Sequence, residues 1–82
     1  MNRIIHILIE LILANKEHDH FMQELKAYEL ESIMVGEKLN KEDAISLIER
    51  RIEEETGFKV DVTIECSFNN FGNVIILVRK MK

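Results

Sequence analysis

Three histidines and one cysteine are the residues of this sequence best suited to metal binding or nucleophilic catalysis. Glu17 and His20, in the run Glu17-His18-Asp19-His20, have the Glu-x-x-His spacing used by carboxylate-bridged metal sites in helical bundles. Such sites require this motif on two helices together with further glutamates, and the second predicted helix contains no histidine. We interpret the run as a solvated polar segment, and we expect no metal and no cofactor.

The remaining candidates also have simple structural interpretations. His6 and Glu10 form an i,i+4 pair that keeps one edge of an apolar helix hydrated. His18 falls in an apolar seam, where a histidine can fix helix register or respond to pH, or lie at the edge of a bent helix. Alternation places Cys66 on the buried face of a strand, where cysteine behaves as a small hydrophobe. We therefore expect no catalytic residue and no enzymatic activity.

The size and composition of the chain indicate one small, acidic domain. Its 82 residues are enough for a single core, but a domain of this size has a thin stability margin. The single cysteine excludes a disulfide within the chain, which leaves self-association or very good packing as the source of stability. The net charge of −4 argues against binding to a phosphate backbone. A lone cysteine fits a reducing compartment, so we expect a cytoplasmic protein.

The first segment is apolar enough to be compared with a membrane span. Ile4 to Ala14 is an apolar run of eleven residues, interrupted by His6 and Glu10. A membrane-spanning helix needs about 20 apolar residues, and a signal peptide ends in a cleavage site with small residues. The run has neither property, so we expect no membrane association.

The stretch from residue 2 to residue 35 is predicted to form one long helix. Its apolar seam has heptad spacing over about four heptads; the seam residues are Ile4, Ile7, Leu11, Ala14, His18, Phe21, Leu25, Tyr28, Ser32 and Val35. Gly36 stands where a left-handed cap would end this helix. Two alternatives stay open, a bend near Asn15 and an opening strand that would bury alternate residues from Ile5 to Leu13.

The rest of the chain predicts a second helix and an antiparallel β-hairpin. Asn40 is a favourable N-cap for a helix of about residues 41–56, which ends at Gly57. The period then changes to two, which predicts a strand over about residues 58–68 and a second strand over about 74–80. The predicted class is therefore α+β, with a long N-terminal helix, an amphipathic helix and a C-terminal hairpin.

This arrangement leaves apolar surface that one chain cannot cover. A helix of residues 2–35 would be roughly 50 Å long, whereas a globule of this size is about 30 Å across. The outer face of the second strand is also apolar and needs a cover. We therefore expect a homodimer whose interface contains Ile7, Leu11, Phe21, Leu25, Tyr28, Ile75 and Leu77.

Three observations favour a protein-interaction function: no constellation suited to chemistry, surplus apolar surface, and an acidic exterior. We therefore expect a small non-enzymatic regulator or inhibitor that binds an unknown protein partner. Its partner-binding residues would lie on the acidic side of the second helix and include Glu42, Glu49 and Glu53. The alternative is a small dimeric nucleic-acid-binding regulator that uses the hairpin and the basic tail at residues 79–82.

Overall fold

The computed structural model describes residues 3–66 and 72–81, and the side chains of all of these except residues 37 and 66. In chain order the elements are α1 (Arg3–Ala14), β1 (His20–Lys26), α2 (Ala27–Glu37), α3 (Lys41–Thr56), β2 (Val60–Cys66) and β3 (Asn73–Lys80). These helices and this antiparallel sheet confirm the predicted α+β class.

Helix α1 forms from the apolar opening run and packs on the sheet. Its buried residues recur at steps of one, three and four, which produces a broad apolar stripe on one side; they are Ile4, Ile5, Leu8, Ile9 and Ile12. The Asn15 side-chain amide donates to the Leu11 carbonyl at 2.9 Å and so satisfies a carbonyl of the last turn. No helix among residues 3–66 and 72–81 is both long and apolar enough to cross a membrane.

The predicted single helix from residue 2 to residue 35 is wrong. Helix α1 ends at Ala14, residues 20–26 form the strand β1, and α2 begins at Ala27. The error has a geometric cause, because a step of four residues returns to the same side of a helix and also of a strand. Phe21 and Leu25 are separated by that step, and both are buried in β1. Their spacing therefore fits both structures.

Of the two helix ends that were predicted at a glycine, the structure confirms one. Gly36 lies inside α2, and the left-handed residue that ends this helix is Lys38, with φ of 56°. The backbone N–H of Lys38 bonds to carbonyls of the preceding turn. Helix α3 has the predicted bounds: the Asp43 N–H donates to Asn40 Oδ1 at 2.8 Å, and Gly57 ends the helix with φ of 80°.

The sheet has the order β1-β3-β2, so the last strand of the chain is the central one. Both outer strands are antiparallel to β3, and Val78 lies opposite Phe21 on one side and Val62 on the other. The predicted strand over residues 58–68 is shorter in the structure, since β2 begins at Val60. Residues 67–71, which include Phe68 at the end of the predicted strand, and the Cys66 side chain lie outside the described part of the chain.

The helices cover one face of this sheet, and the core lies between the two layers. The buried strand residues alternate as expected for such a face; they are Phe21, Leu25, Val60, Val62, Ile64, Val74, Ile76 and Val78. The helices contribute the α1 stripe, Leu30 and Ile33 from α2, and Ala44, Ile48 and Ile52 from α3. The opposite face of the sheet has no helix packed on it in the part of the chain that the structure describes.

Candidate functional site

We call this uncovered side of the sheet the open face. It consists of the strand residues that alternate with the buried ones: His20, Met22, Glu24 and Lys26 of β1, Asn73, Ile75, Leu77 and Arg79 of β3, and Asp61, Thr63 and Glu65 of β2. The register arranges them in rows across the three strands. One row is His20–Arg79–Asp61, the next is Met22–Leu77–Thr63, and the third is Glu24–Ile75–Glu65.

The centre of the open face is apolar and its margin is polar or charged. Ile75 and Leu77 stand next to each other on the central strand and are half-buried. Met22 extends this apolar area onto β1, with 67% of its surface exposed. Glu24 and Glu65 flank Ile75 from the two outer strands. An apolar centre with a charged rim is the arrangement found in protein-binding surfaces.

A groove of about 390 Å³ crosses the open face at its His20 end. Its lining comprises His20, Phe21, Met22, Asp61, Thr63, Leu77, Val78 and Arg79. Across this groove, Arg79 Nη2 lies 3.4 Å from Asp61 Oδ2. His20 and Asp61 are two strands apart, or about 10 Å, so they do not form an acid–base pair. The groove offers an apolar floor and polar contacts, which suit the binding of a side chain or a peptide segment.

The histidines do not assemble into a site in the described part of the chain. Because α1 ends before them, Glu17 and His18 lie exposed in a turn and His20 begins a strand, so the helical Glu-x-x-His motif does not exist. His18 therefore occupies no helical seam. His6 Nε2 lies 3.0 Å from Glu10 Oε1 on the exposed side of α1, as the sequence predicted. Among the described residues, no group of three histidine, cysteine or acidic side chains is placed to hold a metal ion.

The three predicted partner-binding glutamates are on α3, which packs on the covered face of the sheet. They therefore do not share a surface with the open face. Glu42 and Glu53 are exposed. Glu49 is half-buried, and its Oε2 accepts a hydrogen bond of 2.9 Å from the Val62 N–H on the outer edge of β2. Glu49 thus joins the helix to the sheet.

The residues predicted for a dimer interface are in different environments; they are Ile7, Leu11, Phe21, Leu25, Tyr28, Ile75 and Leu77. Phe21 and Leu25 are each 8% exposed and belong to the core of the single chain, so their assignment to an interface is wrong. The two α1 residues pack against the edge of that core. Tyr28 is 66% exposed, and Ile75 and Leu77 lie on the open face.

The basic tail on which the nucleic-acid-binding alternative depends does not present its side chains on one surface, because part of it belongs to β3. Arg79 lies on the open face, whereas Lys80 turns to the covered side, because successive strand residues point in opposite directions. The Lys80 ammonium lies 4.3 Å from the Phe58 ring centroid and 5.7 Å from that of Phe21, and it donates to the Lys16 carbonyl. Lys82 lies outside the described residues. Arg79 and Lys80 do not form one cationic patch.

The sequence did not indicate that Met22, Asp61 and Thr63 belong to one surface with Leu77. The alternation of polar and apolar residues in 20–26 was present, but the helical periodicity concealed it. No protein-family model, curated protein or solved structure matches this chain. Its function is therefore inferred from the geometry of the open face.

Proposed function

We propose that this protein is a non-enzymatic protein-interaction module, and that it regulates or inhibits a partner protein by binding it on the open face. The observation that supports this proposal is the one-sided sheet. Helices cover one side, while the other side carries Met22, Ile75 and Leu77 in one apolar area. A small domain with a thin stability margin gains from covering such an area, because removing apolar surface from water is favourable.

The chemistry of the open face suggests what the partner presents. Methionine at the exposed end of the apolar area adapts to differently shaped side chains. Glu24 and Glu65 stand on either side of Ile75, so a lysine or arginine beside the apolar contact of the partner would meet two carboxylates. The net charge of −4 steers a basic surface toward the protein. The partner we propose is a protein with an apolar segment next to basic residues.

Two further parts of the proposal concern the state of the protein. We propose that it works in the cytoplasm, since its single cysteine fits a reducing compartment. We also propose that it is a homodimer, because Tyr28 and Met22 remain largely exposed on a chain of only 82 residues. The nucleic-acid-binding alternative receives no support from a shared basic patch, since Arg79 and Lys80 point to opposite sides of β3.

Binding through the open face is tested with Thr63→Lys and a matched control, Val35→Lys. Thr63 is exposed beside Leu77, where a lysine would stand over the groove. Val35 is 77% exposed on α2, away from the open face. Immobilised wild type and both variants are incubated with native host lysate, and retained proteins are identified by mass spectrometry. We expect to find a protein that wild type and Val35→Lys retain and that Thr63→Lys does not retain. In titration, Thr63→Lys should raise the Kd for that protein at least about tenfold.

Two results would contradict this proposal. One is a specific partner retained equally by all three proteins, which would place its binding site elsewhere. The other is salt-dependent binding to bulk DNA or RNA that Arg79→Gln abolishes, which would favour the alternative function.

A further inference from the structure

Lys80 is the last residue of the central strand, and it contacts segments from both sides of that strand. Its backbone N–H donates to the Asp19 carbonyl at 2.9 Å, one residue before β1 begins. Its side-chain ammonium donates to the Lys16 carbonyl, in the segment that joins α1 to β1. Lys80 therefore holds both the start of β1 and the segment before it against the end of β3.

The same ammonium lies near two aromatic rings from opposite sides of the sheet. It is 4.3 Å from the ring centroid of Phe58, two residues before β2, and 5.7 Å from that of Phe21 in β1. An ammonium within about 6 Å of a ring centroid is attracted by the ring. In the sheet, β1 and β2 pair with β3 and not with each other, so Lys80 links the two outer strands across the central one. We call Lys80, Lys16, Phe21 and Phe58 the Lys80 clasp.

The Lys80 clasp lies on the covered side of the sheet, at the end whose open face carries the groove. Arg79, the residue before Lys80, stands in the row His20–Arg79–Asp61 across that end. Phe21 of the clasp is also among the residues that line the groove. The walls of the groove come from β1 and β2, so its width depends on how these strands are placed around β3. A contact that links the two strands on the covered side therefore constrains the groove on the open face.

We propose that Lys80 is a positioning residue for the open face, and that its clasp holds β1 and β2 at the spacing at which the groove receives a side chain of the partner. Lys80 is not among the residues that line the groove, so it acts through the strands and does not touch the partner. The positive charge carries this role, because both the attraction to the rings and the charge-assisted hydrogen bond depend on it. The inference rests on the proposed function for the binding step alone.

Four variants separate the charge of Lys80 from the packing of its alkyl chain. Lys80→Met keeps a flexible apolar chain and removes the ammonium, whereas Lys80→Arg supplies a cation that stacks on aromatic rings and donates hydrogen bonds. Lys59→Met is the matched control, because Lys59 is exposed next to Phe58 and loses the same charge outside the clasp. Phe58→Leu removes the nearer ring and leaves Lys80 unchanged, so it tests the clasp even if Lys80→Met does not fold.

NMR spectroscopy measures the clasp and the groove without a partner. Lys80→Met should raise the hydrogen-exchange rate of the Met81 amide, which donates to the Lys59 carbonyl, at least about tenfold over wild type. It should also shift the methyl signals of Met22 and Thr63, which line the groove. Lys80→Arg should return both readouts close to wild type, Phe58→Leu should change them in the same direction as Lys80→Met, and Lys59→Met should leave them unchanged.

Binding is then measured with the protein that the open face retains from host lysate and Thr63→Lys does not. Lys80→Met should raise the Kd for that protein at least about fivefold, because a loosened groove is no longer preorganised, and Lys80→Arg should restore it.

The results distinguish the role of Lys80 from the proposed function. Unchanged exchange and methyl signals in Lys80→Met and Phe58→Leu, or equal effects of Lys80→Met and Lys80→Arg, would overturn the role of Lys80. An unchanged Kd in Lys80→Met despite shifted methyl signals would also overturn it and would leave the proposed function intact. If the open face retains no protein, the proposed function fails, and the NMR results alone decide whether Lys80 positions the groove.

Discussion

The carboxylate of Glu49 accepts a hydrogen bond from the backbone of β2. Its neighbours on the same side of α3, Glu42 and Glu53, are exposed, whereas Glu49 accepts the Val62 N–H at 2.9 Å. An edge N–H that is bonded in this way cannot recruit a foreign strand. The same contact fixes α3 against the sheet, so one residue contributes both to stability and to keeping this edge closed.

Replacing Glu49 should therefore affect stability in a way that replacing Glu53 does not. We expect Glu49→Ala to lower the free energy of unfolding by about 1–3 kcal/mol, because a hydrogen bond to a charged acceptor is lost and the Val62 N–H is left without it. Glu53→Ala should stay within about 0.5 kcal/mol of wild type. Urea unfolding followed by circular dichroism measures both changes. Equal effects of the two substitutions would contradict the role of this contact.

Helix α2 shows that a glycine near a helix end need not be its cap. Gly36 has helical backbone, and a Cβ built on it meets no atom within 4 Å. The left-handed position is taken by Lys38, while Gly57 fills the corresponding position of α3 with φ of 80°. Gly36 is therefore part of α2, whereas Gly57 ends α3, although both glycines stand near the end of a predicted helix.

Alanine substitutions at these glycines should change stability in opposite directions. Gly36→Ala should raise the free energy of unfolding by about 0.5–1 kcal/mol, because alanine favours the helix interior and restricts the unfolded chain. Gly57→Ala should lower it by about 1–2 kcal/mol, since an L-residue is strained at positive φ. Midpoints of thermal and urea unfolding report both signs. Destabilisation by Gly36→Ala would mean that α2 ends earlier than the structure places it.

The elements that the sequence predicted correctly have determinants close together in the chain. Helix α3 carries its own cap at Asn40, its apolar stripe and its terminating Gly57 within 18 residues. Strand β1 has no such local marks, because it is selected by pairing with β3, more than 45 residues further along the chain. The spacing of Phe21 and Leu25 fits a helix as well as a strand, so only the distant partner decides between them.

At the scale of the molecule, the fold is one sheet and one layer of helices. Its extents of 32 × 28 × 19 Å reflect this two-layer build, which is thin across the sheet. The sequence predicted that Ile75 and Leu77 lie on the face of β3 turned away from the helices, and the structure places both on the open face, because the alternation in β3 does not depend on the helices. It did not predict that Met22 would join them, since that neighbourhood exists only after β1 pairs with β3.

Adjacent isoleucines of β3 allow the two faces of the sheet to be compared directly. Ile76 is fully buried among the helices, and Ile75 is half-buried on the open face. We expect Ile76→Ala to cost about 2–5 kcal/mol through cavity formation. That is a large fraction of the roughly 4–12 kcal/mol expected for a chain of this length.

Ile75→Ala is the matched control, and its cost should be clearly smaller. Chemical unfolding at low protein concentration, in the absence of a partner, gives both values. If Ile75→Ala proved as costly as Ile76→Ala under those conditions, the open face would already be covered within the single chain.

The central position of β3 has a consequence for how the chain acquires its structure. Neither outer strand can pair until residues 73–80 have been synthesised, because β1 and β2 contact β3 and not each other in the sheet. The pairing of β1 closes a loop of more than 45 residues, and contacts of such long range slow folding. Until then the residues from His20 to Lys26 have no strand partner and are free to form a transient helix. Synthesis of the last strand therefore triggers sheet formation, and a nascent chain stalled before residue 73 would hold helices without a sheet.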